Sequence, residues 1–213
     1  IVDARVHDVL YVKYWLGLFD KPYIENTEEA DNIVRSQEHL DVSYQASLES
    51  IVLLKNENDL LPLSKDVKSI LITGPMADWI GSDQDKYGPQ NMKLTTILEG
   101  IKNKVSADCR IEYTQGCNIK NADFRESELY KEPPIGITKT KIDDAAALAK
   151  NVEVAIVVVG EDLSLIGESR SRTSLDLAGY QRELIQAVYA TGTPTVVVLI
   201  NGRPITINWT DDH

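Results

Sequence analysis

Three features of this 213-residue chain predict an α/β fold, a mostly parallel sheet with helices on both faces: a three-layer α/β/α sandwich. First, Val154 to Val159 and Thr195 to Ile200 are unbroken β-branched and aliphatic runs. A strand that shows apolar side chains on both faces, with no polar alternation, is one covered by helices above and below. Second, such runs alternate along the chain with stretches whose apolar residues recur at helical spacing, the pattern of a parallel sheet. Third, Gly74-Pro75, Gly160 and Asn201-Gly202 follow the apolar runs at once, so each is short enough to be a strand.

Composition narrows the class. With 43% hydrophobic and 26% charged residues the chain can enclose a sizeable core, as one domain or one domain plus a fragment. A net charge of −11 sets the surface against nucleic-acid phosphates. No apolar run approaches the ~20 residues that span a bilayer. The three histidines, His7, His39 and His213, are scattered, which argues against a zinc site. Cys109 and Cys117 read as either a disulfide or two free thiols, the thiols favoured because the expected strand between them holds their Cα atoms apart.

In chain order, Asp3 to Phe19 reads as an amphipathic helix, with Val6, Val9, Leu10, Val12, Leu16 and Phe19 at helical spacing. Pro22 to Arg35 is polar, acidic and without period, hence a linker. Ser36 caps a second helix that turns Leu40, Tyr44 and Leu48 inward, and Ile51 to Glu57 reads as a short buried strand. Val67 to Thr73 is a strand, Thr96 to Val105 a helix and Arg110 to Thr114 a strand. Gly116 to Lys139, with Pro133-Pro134, is too long and polar for a plain connection. Thr140 to Asp143 resembles a capping box leading a helix with Ile142, Ala145, Ala146 and Ala149 on one face. Asp176 caps a helix over Leu177 to Tyr189, with Tyr180, Leu184, Ala187 and Val188 inward.

The polar segment directly after Val154–Val159 is where chemistry concentrates. Within a dozen residues of Gly160 come Glu161, Asp162, Glu168, Arg170 and Arg172. Ligands of open α/β sheets sit beyond the carboxyl ends of strands. No phosphate-binding Gly-x-x-x-x-Gly-Lys-Ser/Thr loop, no Gly-x-Gly-x-x-Gly fingerprint and no Gly-x-Ser-x-Gly elbow is present. What remains is carboxylate chemistry: a Glu presented by a loop near arginines suits general acid catalysis on a glycosidic oxygen. Carboxylates on a loop are more commonly solvated surface charges, and Arg170 and Arg172 read equally well as partners that hold the loop.

Five blocks carry a family resemblance. Ser50-Ile-Val-Leu-Leu-Lys-Asn with Leu61-Pro-Leu, Ile70-Leu-Ile-Thr-Gly-Pro-Met-Ala-Asp, Gly160-Glu161 with Glu168-Ser-Arg-Ser-Arg172, Gln181-Arg-Glu-Leu-Ile and Val196-Val-Val-Leu-Ile-Asn-Gly-Arg-Pro stand in the order and spacing of the second domain of family 3 glycoside hydrolases. Val9 to Asp20 is similar to the end of that family's catalytic barrel.

The resemblance implies residues 1–20 as the terminal helix of an absent (β/α)8-type barrel, 21–36 as linker and 37–213 as a partial α/β sandwich. It implies a retaining β-glycosidase, a β-glucosidase first, needing no metal or cofactor and acting on oligosaccharides, with a barrel aspartate as nucleophile. Glu168 matches the acid/base position, and Glu161 is the runner-up. Arg170, Arg172, Asp78, Trp79 and Tyr87 are the implied substrate-binding residues, although an aromatic beside a strand more often packs in a core. Lys55 and Asn56 match a family block and are read as structural.

Ser82-Asp83-Gln84 is not the nucleophile segment, so the chain holds one of the two carboxylates that a retaining enzyme places ~5 Å apart, and is expected to be inactive alone. A β-xylosidase or β-N-acetylhexosaminidase is the rival on substrate, and a non-catalytic carbohydrate-binding or docking module the rival class. The partners implied are oligosaccharide and the protein's own barrel, in the periplasm or outside the cell.

Overall fold

The computed structural model describes residues 1–24, 26–80, 94–120 and 140–213; Ser82, Asp83, Gln84, Tyr87 and Pro133-Pro134 lie outside these. The chain divides into two compact units, residues 1–54 and 55–213.

The first unit is helical. α1 (Val2–Trp15), α2 (Thr27–Ile33) and α3 (Gln37–Ser50) bury no side chain fully. α2 is a helix inside the segment expected to lack periodic structure: the Asn26 side chain accepts from Glu28 N at 3.0 Å, and Glu28 and Glu29 place negative charge at the positive end of the helix. α3 begins after Ser36 as expected, but Ser36 makes no side-chain cap bond. Leu40, Tyr44 and Leu48 are 41%, 61% and 47% exposed rather than inward. Helices of 14, 7 and 14 residues are too few to enclose an interior. The strand expected from Ile51 is absent: residues 51–56 have no regular structure, and Ile51 to Leu54 are exposed. An apolar run is a strand only where a neighbour accepts its ladder, and this one has none among the described residues.

The second unit contains the sheet. Four parallel strands, β1 (Ser69–Thr73), β2 (Arg110–Thr114), β3 (Val154–Gly160) and β4 (Thr195–Ile200), lie in the order β2-β1-β3-β4. Between them come α4 (Ile97–Lys102), α5 (Thr140–Ala149) and α6 (Gln181–Tyr189), with α7 (Asn208–Asp212) last. All seven residues of β3 are buried because each face meets a different core. Ala155, Val157 and Val159 pack with Leu71 on Ile142, Ala145 and Ala149 of α5 and Leu184, Ile185 and Val188 of α6. Val154, Ile156 and Val158 pack with Ile70, Ile72, Met76 and Leu98 on the opposite face. The period-two alternation of side chains therefore fills two apolar layers from one strand.

Several boundaries follow from side-chain bonds. Thr96 starts α4 through a capping box: its hydroxyl accepts from Glu99 N at 3.1 Å, and the Glu99 carboxylate accepts from Thr96 N at 3.3 Å. Asn56 closes its own loop, accepting from Leu61 N at 2.9 Å and donating to Leu61 O at 2.7 Å. Asp176 does not cap a helix at Leu177, since α6 starts four residues later, at Gln181. Asp176 instead bridges to Thr206 in extended form, and its carboxylate pairs with Arg182 at 3.0 Å.

Candidate active-site loop beyond strand β3

β1 and β3 are neighbours, and the strand order runs outward from them in opposite directions, to β2 and to β4. Crevices for ligands in open α/β sheets open at this reversal, beyond the carboxyl ends of the strands. The loops leaving both strands there carry the candidate residues.

The loop after β3 begins at Gly160, whose φ of 150° and closeness to β4 exclude a side chain: a Cβ would run into the Ile200 carbonyl. The Gln181 side chain fixes this point from α6. Its Oε1 accepts from Gly160 N at 2.8 Å, and its Nε2 donates to Gly160 O at 3.0 Å and to Ile119 O at 3.1 Å. Glu161 follows, its side chain 0% exposed, with its N–H donating to Ile200 O at 2.9 Å. Arg172 Nη1 donates to Glu161 Oε1, and Arg203 Nε lies 3.4 Å from Oε2. Arg172 also donates to Asp176 O at 2.6 Å, and Arg203 to Leu165 O at 2.7 Å and Arg170 O at 3.3 Å.

These bonds secure the base of the loop and leave a tip. Leu165 is buried, and its N–H donates to Asp162 O at 2.9 Å. Beyond it the chain turns through Gly167 at φ 108° and Ser169 at φ 62°, with Glu168 exposed between them. Gly167 has open space around it, so its role is conformational: a residue with a Cβ is strained at that φ. Arg170 is half-buried and Arg172 nearly buried, its side chain 6% exposed. The structure therefore brings Glu161 and Arg172 together with Arg203, and holds Glu168 at the tip of the same loop.

The loop after β1 carries Asp78 and Trp79. Asp78 accepts from the Thr96 hydroxyl at 3.0 Å, which ties this loop to the start of α4. Burial and then the Asp78 charge push the Tyr113 phenol above its ordinary value. Trp79 packs partly buried against the Ile70–Val158 core layer. Among the described residues, no group of three or more His, Cys, Asp and Glu side chains is arranged to hold a metal ion, and no helix is long and apolar enough to cross a membrane. Cys109 and Cys117 are free thiols on either side of β2.

Residues 51–213 match the glycosyl hydrolase family 3 C-terminal domain. The chain belongs to glycosyl hydrolase family 3. A β-xylosidase of Formosa agariphila is 34% identical over 219 residues, covering 98% of this chain and 28% of that protein. A periplasmic β-glucosidase of Salmonella typhimurium is 36% identical over 221 residues, covering 97% and 28%. A solved β-glucosidase involved in saponin metabolism from intestinal bacteria superposes with a TM-score of 0.80 at 28% identity, covering 97% of this chain and 30% of that one. The chain thus spans little more than a quarter of the curated relatives it matches.

In this family 3 domain, two residues that hold the loop lacked a role in the sequence reading. Arg203 and Gln181 both stood in matched blocks, yet nothing local marks them as partners of Glu161 and Gly160. The Arg203 ion pair and the Gln181 hydrogen bonds span 42 and 21 positions, and only the pairing of β3 with β4 and the docking of α6 bring them there.

Proposed function

We propose that this chain supplies the acid/base domain of a retaining β-glycosidase that releases terminal β-linked glucose from oligosaccharides. In this reading residues 1–20 close a barrel that carries the aspartate nucleophile, residues 21–36 join it to the sandwich, and residues 37–213 present Glu168 to the sugar. The observation that supports it best is the position of Glu168: an exposed carboxylate at the tip of a loop whose base is pinned at the carboxyl edge of the sheet. Glu161 fits the role poorly. Its carboxylate is enclosed and faces two guanidinium groups, so it has no access to a glycosidic oxygen.

The steps follow from two carboxyl groups on opposite sides of one bond. Glu168, protonated, gives its proton to the leaving oxygen as the anomeric C–O bond breaks and the barrel aspartate bonds the anomeric carbon. The resulting Glu168 carboxylate then takes a proton from the water that displaces the aspartate. Asp78 and Arg170 are proposed at the rim of the sugar subsite, beside a wall that includes Trp79. Terminal xylose is the second reading on substrate, favoured by the Formosa β-xylosidase, whose identity to this chain is close to that of the glucosidase. Export follows by analogy with the periplasmic relative.

Leaving-group dependence in the full-length protein is the test. Glu168→Ala is expected to slow a β-linked disaccharide by about 10²- to 10⁴-fold, the usual worth of general acid catalysis. Aryl glycosides of acidic phenols, which depart without a proton, should be spared in the glycosylation step. Equal losses on both substrates would remove Glu168 from the role.

A further inference from the structure

The loop that carries Glu168 is fastened by charges where apolar side chains would serve stability as well. Taking a carboxylate and a guanidinium out of water costs several kcal/mol per ion, and buried ion pairs are often matched or exceeded by hydrophobic replacements. Here Glu161 and Arg172 have side chains 0% and 6% exposed, and Arg203 reaches the same carboxylate from beyond β4. What the charges add is direction. A guanidinium is a flat fork with five donors, able to hold a carboxylate and backbone carbonyls together. Both arginines do this: Arg172 bonds Glu161 and Asp176 O, and Arg203 faces Glu161 while bonding Leu165 O and Arg170 O.

The bonds thus meet the loop at its start, at two points flanking the tip, and at its end. Residues 166–169 lie between the two carbonyls that Arg203 holds, so one side chain ties both ends of the tip to the end of a rigid strand pair.

We infer that Glu161, Arg172 and Arg203 form a positioning clamp that sets where Glu168 stands in the reaction, with Arg203 as its key member. The inference rests on the acid/base reading of Glu168. Displacing a reacting group by 1 Å can cost about 10²-fold in rate, so a loosened clamp weakens proton delivery before it unfolds anything.

The full-length protein carrying Glu161→Gln, Arg203→Lys and Glu168→Ala, singly, and Arg203→Lys with Glu168→Ala, is assayed on a β-linked disaccharide and on a dinitrophenyl β-glycoside. Arg203→Lys keeps a positive charge but cannot span Glu161, Leu165 O and Arg170 O at once. It and Glu161→Gln are expected to lose about tenfold in kcat/KM on the disaccharide, part of the general-acid contribution, and less than about twofold on the dinitrophenyl substrate. In the Glu168→Ala background, Arg203→Lys should add no further loss on either.

Equal losses on both substrates, or none, would overturn the clamp while leaving Glu168 in place if Glu168→Ala keeps its leaving-group dependence. If Glu168→Ala itself lacks that dependence, the acid/base reading falls and the clamp with it. Should Glu161→Gln fail to fold, having left two guanidinium groups without their carboxylate, Arg203→Lys decides the matter, because its side chain is 24% exposed and keeps its charge.

Discussion

Burial pushes the Cys117 thiol from the ordinary value of 9.0 up to about 12, and the Glu183 carboxylate adds to the effect. Burial and the Glu153 carboxylate also raise the Cys109 thiol, with Lys68 opposing. A thiol reacts as thiolate, so at pH 8 the native chain should give at most slow, single labelling by a disulfide reagent, at Cys109, and rapid double labelling in denaturant. Two equal fast phases in the native protein would contradict the burial of Cys117. The sign of the pH effect follows: the unfolded thiol ionises near 9 while the folded one keeps its proton. Its contribution to stability is present below pH 9 and lost as pH rises toward 12, at about 1 kcal/mol per unit. Cys117→Ala should flatten that part of the stability curve. Single residues were legible in the sequence when their neighbours in the chain defined them. Glu168 stands out between glycine and arginines in a polar loop, but the enclosure of Glu161 depends on Arg203, 42 positions away.

Among the elements, strands were the most legible. β2 and β4 have the bounds their apolar and β-branched residues predict, and β3 extends only one residue further, to Gly160. A buried parallel strand is written in consecutive apolar residues, though the run from Ile51, with no neighbour among the described residues to accept its ladder, shows that the run alone does not make one. Helix starts were less legible because tertiary bonds compete with caps. Leu177 to Tyr180 carries helical periodicity, yet the pairing of Asp176 with Thr206 and the bond from Arg172 to Asp176 O hold its entry extended, so α6 waits until Gln181. α2 was hidden for the opposite reason: a local cap from Asn26 starts it in a run that carries no apolar period. The strand end makes its own prediction. In Gly160→Ala the new methyl must displace the Ile200 carbonyl, so β3 and β4 separate at the foot of the loop. The expected outcome is an unfolding free energy, read from the midpoint of chemical denaturation, lowered by more than the roughly 1 kcal/mol typical of single substitutions, and lost activity in the full-length protein. An unchanged midpoint would show that the two strands are not pressed together there.

At the scale of the molecule, the alternation of strands and helices made the class of fold legible, while the order β2-β1-β3-β4 was not, because nothing local in a strand names its neighbour. That order places the loops of β1 and β3 side by side at one edge. The proposed division of labour predicts that the 213-residue chain alone turns over no aryl β-glucoside, whereas the full-length protein does; steady release of the phenol by the isolated chain would refute the absent second carboxylate. The fastening at residues 161, 165, 170 and 176 has a consequence for descent. A lineage in which those four holds persist can exchange the side chains that flank Glu168 at the tip and still inherit the stance of the whole arm. New sugar preferences can then be tried at the fingertip without relearning the wrist.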